Sequence, residues 1–505
     1  MKYFVFGAGY FGEMVVRQLV SRGNEVLGIL DNDVSKHGKS IEGIIVSAPD
    51  TLTKLRPEGK QILIAILDFD LSREVCQQLT SLGFKENVDF RLIFRQQDTD
   101  WDFVFQKKPD MPANISILND AKIDELVVTD CTKYPLVMPW ELSPKMLRSY
   151  SVWLLDVLVK LDKTGHGLAD AYDFRFVYCN NCFFVPSYDF VCHQETSTEK
   201  KFQILEGLFN PLILISKNQL KKGYMYLENQ SPRLEYADIK GYLTKEECRK
   251  YEEAQNGVSS PLEEWAKQLR ELISNLSKPF MIGMWSEGYK TLSDAIKYKK
   301  NISHAGGKYK NVIDMIRWVK PRTLIDLAGN VGFISFMLRG ECDYCITTDI
   351  DWNVLDDVFD NIGLLEDRST CTVLPLYSNI LYPTPGKRKN RFFESNTIPP
   401  TIPSQPERLR SEMAIALAVV HHLLYSDDVS FEQVICQILQ FTYKHLVIEY
   451  VDIHEKIYEK RDKTGREWWT RENFEKALSA HCDITKTSDN GAQSRILYLC
   501  TLKKV

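Results

Sequence analysis

The sequence predicts an α/β protein with a strand, glycine turn and helix unit toward each end and an α+β region between them. Three observations carry this reading. Leu324-Ile-Asp-Leu-Ala-Gly-Asn-Val-Gly-Phe-Ile-Ser335 runs from an apolar strand through an acid and a glycine turn into an amphipathic helix. Lys2-Tyr-Phe-Val-Phe-Gly7-Ala-Gly9-Tyr-Phe-Gly12 follows the same order with the spacing G-x-G-x-x-G. In each case a second strand ending in acid follows about twenty residues later, Tyr344 to Asp349 in the first and Val26 to Asp31 in the second.

In the C-terminal part, Thr323 to Asp326 reads as a buried parallel strand. Gly329 and Gly332 let the backbone turn tightly and approach a ligand, and Phe333 to Leu338 starts a helix. Tyr344 to Asp349, with Asp351 just beyond, is a second strand whose terminal acids suit a pair of ribose hydroxyls. Thr372 to Tyr377 reads as a third strand, Glu412 to Val420 as a fourth and His445 to Val451 as a fifth, with a helical pattern over 429–442. Asp483 to Thr487 and Arg495 to Thr501 close the series with no helix between them. Alternating strands and helices followed by such a pair imply a mostly parallel sheet completed by an antiparallel hairpin.

Several local blocks sit on this framework: Trp285 with Tyr289, Lys308 followed by Val312, the D-x-x-x-N-x-G turn at Asp326, Asn330 and Gly332, Ala416-Leu-Ala-Val-Val-His-His-Leu423, Val447-Ile-Glu449 and Ser494-Arg-Ile-Leu-Tyr-Leu499. On these, the chain from about Trp285 resembles the methyltransferases grouped with the rhizobial host-specific nodulation proteins, many of which sit in polysaccharide-modification pathways. The pattern departs at Ala328, where a glycine is usual, at Asn379, where an aspartate commonly ends the third strand, and at Glu412, where an aspartate opens the fourth.

The resemblance implies a class I S-adenosylmethionine-dependent methyltransferase sheet over 284–505. Asp326, Gly329, Asn330 and Gly332 would then line the methionine and ribose portion of S-adenosylmethionine, and Asp349 would hold the ribose hydroxyls. Asp351 and Trp352 would flank the adenine, and Asn379 would hydrogen-bond its edge. Methyl transfer from a sulfonium is an in-line displacement on an activated carbon, so alignment in a dry pocket is the main requirement. A sugar hydroxyl as acceptor adds the need for a base, and His421 or His422, after the fourth strand, are the candidates. Glu449 is the next candidate, or the partner that orients the histidine. The expected reaction is O-methylation of a glycan or glycan precursor, free or linked to a nucleotide or lipid.

Residues 1–100 resemble the nucleotide-sugar-binding N-terminal domain of bacterial sugar acetyltransferases through Phe6-Gly-Ala-Gly-Tyr-Phe-Gly12, Leu30-Asp-Asn-Asp33, Ile62 to Ile66 and Arg73. Gly7, Gly9, Gly12 and Asp31 would form that site. The same fingerprint suits NAD, while Asp31, Asn32 and Asp33 disfavour the 2′-phosphate of NADP. Alternative readings are an NAD-dependent oxidoreductase or epimerase, which would need a catalytic pair that no Tyr-x-x-x-Lys motif supplies there, and a noncatalytic nucleotide-binding scaffold.

The middle region, 101–283, carries an amphipathic helix from Pro144 to Leu161 and a hairpin from Phe174 to Val185 about Asn180-Asn181. Around Leu168 to Tyr172 and Phe209 to Leu212 it resembles the leader region of the same methyltransferases, and it is expected to cap the catalytic domain. Cys179-x-x-Cys182 with Cys192-His193 invites zinc, yet a two-residue hairpin turn brings its flanking residues together without any ligand, and no metal is expected. Cys342 and Cys345 read as packing residues.

At 505 residues with 44% hydrophobic composition, several domains are expected. No apolar run approaches a membrane span. A net charge of −5 argues against an enzyme that neutralises nucleic-acid phosphates. Twelve scattered cysteines and an initial strand beginning at residue 2 point to a reduced, cytoplasmic chain. Lys387-Arg-Lys-Asn-Arg391 lies in a loop-like stretch from Pro383 to Pro406 with six prolines and reads as a solvated basic loop or a lid over a phosphate.

Overall fold

A computed structural model describes residues 2–21, 24–54, 60–66, 69–85, 89–92, 134–169, 174–186, 191–192, 195–229, 234–279, 281, 293–295, 306–364, 372–384, 387–388, 401–426, 429–455, 463–489 and 494–503. Trp285, Tyr289, Tyr172, His193 and Arg391 lie outside these. Contacts divide the chain into two units, one of 1–113, 204–244 and 390–400, the other of 114–203, 245–389 and 401–505.

The first unit holds a sheet of β1 (Lys2–Phe6), β2 (Glu25–Leu30), β3 (Ser40–Ile41), β4 (Ile44–Ser47), β5 (Lys60–Ile64) and β6 (Phe90–Leu92), in the order β3-β4-β2-β1-β5-β6. All neighbours are parallel except β3 and β4. Period-two alternation gives β1 two buried faces: Tyr3 and Val5 pack with Val15, Val16 and Leu19 of helix α1 (Tyr10–Ser21), while Phe4 and Phe6 pack with Val75 and Leu79 of α2 (Phe69–Ser81). Met225, from helix Leu220–Asn229, joins the first of these cores.

The second unit is built on β7 (Thr323–Leu327), β8 (Tyr344–Asp349), β9 (Thr372–Tyr377), β10 (Ser411–Ala416), β11 (Thr442–Val451), β12 (Cys482–Ser488) and β13 (Arg495–Leu502). Their order is β9-β8-β7-β10-β11-β13-β12, parallel throughout except that β13 runs antiparallel to both neighbours. Helices between these strands and before the first of them include α3 (Gly307–Val319), α4 (Phe333–Met337), α5 (Trp352–Gly363), α6 (Gln405–Leu409), α7 (Val420–Ser426), α8 (Phe431–Leu439) and α9 (Arg471–His481). α5 shows why such segments are helical: Asp351 caps it, and Val354, Leu355, Val358 and Ile362 form one buried stripe. Each such side chain contributes about 1.5–3 kcal/mol on burial. Cys342 and Cys345 belong to the core beneath this sheet, in line with a packing role.

Two expected boundaries move. The fourth strand ends at Ala416 rather than Val420, because Ala418 adopts a left-handed φ of 51° and its amide donates to the Glu449 side chain, which turns the chain into α7. The helix expected over 429–442 stops at Leu439, since Thr442 pairs with Ser411 as the first residue of β11.

In the middle region, helix Pro144–Asp162 begins at the Ser143 cap, and the Lys145 amide donates to Asp356 of α5 at 3.0 Å. Strands Phe176–Cys179 and Cys182–Phe184 form the expected hairpin. Asn180 and Asn181 both have positive φ, the signature of a tight two-residue turn. The hairpin is fixed to the large sheet by Asn180 N donating to Thr372 Oγ1 (2.9 Å), Val373 N to Asn181 Oδ1 (3.2 Å) and Tyr344 Oη to the Tyr178 carbonyl (2.7 Å). Among the described residues no helix is long and apolar enough to cross a membrane.

Candidate cofactor and acceptor site

The order of the large sheet reverses between β7 and β10, and the carboxyl ends of strands at such a switch point form the crevice where α/β proteins bind ligands. Asp326, near the end of β7, is buried. A Cβ on Gly329 would meet the Asp326 carboxyl at 2.8 Å, so only glycine lets the turn fold over that acid. Gly332, at φ 73°, then caps α4, and Ala328 and Asn330 also have left-handed φ of 55° and 49°. Non-glycine residues held in that region cost of order 1–3 kcal/mol each and persist where surrounding structure fixes them. Ala328 therefore takes the backbone conformation that its glycine-preferring position calls for.

Asp349, at the end of β8, is 5% exposed and accepts two amides, Asn330 N on Oδ2 at 3.1 Å and Asp351 N on Oδ1 at 2.9 Å. Burial raises its pKa to about 6 against the pull of those amides. Burial, then repulsion from Asp349, raises Asp326 to about 7. Two buried carboxyls that repel each other thus flank a turn whose own amides are satisfied internally, Gly329 N on the Thr348 carbonyl, Asn330 N on Asp349 and Val331 N on Asn330 Oδ1, so the carboxyls are the polar groups the turn holds for a cationic, hydroxyl-rich ligand.

Asp351 accepts from Asn353 N at 2.9 Å and so works as the cap of α5. Trp352 stacks on Tyr377 from the end of β9, with centroids 5.0 Å apart and planes 25° from parallel. Asn379 Oδ1 accepts the amides of Leu381 and Tyr382, so any contact with an adenine edge would fall to its side-chain NH₂. Sequence reasoning missed Gln405 of α6, buried in the proline-rich stretch: it accepts from Ser378 Oγ at 2.8 Å and donates to the Tyr377 carbonyl at 2.9 Å, fixing the end of β9. Nothing in the local pattern signals this long-range contact.

His421 and His422 lie in the first turn of α7, just past β10, with ring centroids 4.2 Å apart. His421 is 1% exposed, and burial, His422, Arg495 and Lys308 push its pKa down to about 2. It is therefore a neutral imidazole with little capacity to hold a proton. His422 is only partly buried. Glu449, fully buried on β11, accepts from Lys308 Nζ and from Ala418 N on Oε2, both at 2.7 Å, and Arg495 lies 3.7 Å from Oε1. These partners make Glu449 the anchor of the strained turn that launches the histidines. Lys308 and Arg495 stood in matched blocks, but their convergence on Glu449 requires the folded sheet. Glu412, near the amino end of β10, accepts from Arg322 N and Lys444 Nζ, a structural role.

In the N-terminal unit, a Cβ on Gly12 would meet the Gly7 carbonyl oxygen at 1.7 Å, whereas Gly9 has open space around it. Gly12 serves the fold, and Gly9 is exposed. Asp31 accepts Ala8 N at 2.6 Å and Lys36 Nζ at 3.0 Å on Oδ2, and Asp33 N at 2.8 Å on Oδ1. Although burial pushes upward, these donors hold its carboxyl below the usual range. Cys179 faces Cys182 across the hairpin, and burial, then Cys182, raises its thiol.

No protein-family model matches this chain. The nodulation protein NoeA of Rhizobium meliloti (strain 1021) is 28% identical over 201 residues, 38% of this chain and 38% of that protein, so the match spans well under half of the relative. Among solved structures, the methyltransferase domain of bacterial CtHen1-C is 17% identical, covering 39% of this chain and 96% of its own, with a TM-score of 0.28. N-methyltransferase NodS from Bradyrhizobium japonicum WM9 is 10% identical, covering 39% and 97%, with a TM-score of 0.26. The strand order, the antiparallel β13 and the glycine turn after β7 give the C-terminal unit the class I methyltransferase type of α/β sheet.

Proposed function

We propose that the C-terminal unit transfers a methyl group from S-adenosylmethionine to a hydroxyl of a glycan or glycan precursor. The observation that carries the cofactor reading is Asp349: a buried strand-end carboxylate, oriented by the Asn330 and Asp351 amides, electrostatically coupled to Asp326. The carboxyls would meet the ribose hydroxyls and the cationic methionyl end, and Trp352 with Tyr377 would bound the adenine. The glycan acceptor rests on the resemblance to nodulation-type methyltransferases and on the nodulation protein match. His422 serves as the base, His421 as its neutral neighbour, and Glu449 as the positioning residue beneath both. The N-terminal loop around Gly9 takes a nucleotide-sugar.

Calorimetric titration of the full chain with S-adenosylmethionine and S-adenosylhomocysteine tests the reading. Binding by the wild type and its loss in Asp349→Ala support it; absence of binding by wild-type protein of intact fold overturns it.

A further inference from the structure

Away from the cofactor turn, the helices carry a second cluster of ligand-type side chains. Glu432 and Cys436 stand one turn apart on α8 and share a face, and His481 closes α9 just before β12. His481 Nε2 lies 2.6 Å from Glu432 Oε1 and 3.5 Å from Cys436 Sγ, and the thiol is 3.8 Å from the carboxylate. Three donors of three chemical types converge within 4.8 Å of one another, the one such group among the described residues.

With ordinary zinc bond lengths, a tetrahedral ion would separate S from N by about 3.6 Å, S from O by about 3.5 Å and N from O by about 3.3 Å. The two edges involving sulfur already stand near these lengths. The N to O edge is shorter because a hydrogen bond spans it, and exchanging that proton for a metal requires an opening of under about 1 Å. Glu432 and His481 are partly open to solvent, so an ion can enter without rearrangement of the core. Thiolate with imidazole selects a borderline transition metal over magnesium or calcium.

We propose that Glu432, Cys436 and His481 bind one zinc ion or similar divalent transition metal, with water completing the tetrahedron. Bound metal would pin α8, which leads into β11, to the end of α9, which leads into β12. Its role is structural, and it shares no residue with the cofactor and acceptor site. Glu432 and Cys436 are close in sequence, but His481 lies 45 residues beyond Cys436, so the three ligands form no local motif.

Chelator-treated full-length protein is titrated with zinc alone by calorimetry and with cobalt(II) by absorption, which reports thiolate ligation and tetrahedral geometry. One equivalent should bind, with at least about tenfold weaker binding in Cys436→Ser and His481→Ala and none of that loss in Cys179→Ser/Cys182→Ser. Zinc should raise the thermal midpoint of the wild type and leave that of His481→Ala unchanged. Cys436→Ala replaces the serine variant should the latter fail to fold. No saturable binding up to millimolar zinc, or binding kept in both folded cluster variants, overturns the proposal and leaves the cluster as a hydrogen-bonded ion pair.

Discussion

Asp326 and Asp349 interact in a buried pocket, and their raised pKa values have a sign that can be measured. A carboxyl near 4 in the unfolded chain and about 7 in the native state binds more protons when folded, so stability falls as pH rises through that window. Each pKa unit is worth roughly 1.4 kcal/mol. Asp326→Asn should therefore stabilise the ligand-free protein more at about pH 8 than at about pH 5 in thermal melts. Affinity for a sulfonium cofactor should rise over the same range, since the cation meets ionised carboxylates, and calorimetry at several pH values reads this. The histidines carry a separate expectation. His422→Ala should lower turnover by about 10²–10⁴ while leaving cofactor affinity unchanged, with a smaller effect on proton transfer from His421→Ala. Full turnover in both variants would remove them from the chemistry.

At the scale of elements, helix α6 is fastened to the middle region by a buried ion pair. Arg408 holds Glu141 with its two terminal guanidinium nitrogens and donates to the Leu136 carbonyl at 2.6 Å, while Glu141 also accepts Met138 N at 3.0 Å. The two side chains are 3% and 1% exposed, so removing one strands a charge away from water. Glu141→Ala should cost about 3–5 kcal/mol in urea denaturation, and Glu141→Ala with Arg408→Leu should recover part of it. Strands β7, β8 and β9 were legible because continuous apolar runs end in acids or turns. The hairpin at Asn180-Asn181 was legible because few residues accept positive φ. The end of β10 was not: Leu417 to Val420 is as apolar as the strand before it, and only a carboxylate from β11 diverts it. Likewise Lys308, Arg495 and Gln405 become site residues through contacts spanning tens of residues, which no local pattern encodes. The acids and glycines of the turn were readable because strand, turn and helix fix their geometry locally.

For the molecule as a whole, the proposed function assigns one ligand to each of the two glycine loops, and substitution tests whether the two sites are separate. Gly9→Trp, placed in open space, should block a nucleotide-sugar without unfolding its unit, whereas Gly12→Val drives a side chain into the Gly7 carbonyl and should unfold it. Asp349→Ala should leave N-terminal binding intact, and parallel titrations with UDP-sugars and S-adenosylmethionine measure both. Equal loss of both ligands would contradict two sites.

The antiparallel placement of β13 between β11 and β12 bears on how the protein is made. Among the described residues β12 pairs with β13 alone, and β13 lies between it and β11. During synthesis β12 emerges first and has no partner until β13 follows, so the apolar edge of β11 stays open until then. A chain released before Arg495 would hold a sheet of five strands with an unpaired edge and a stray sixth, a form that chaperones and proteases should engage.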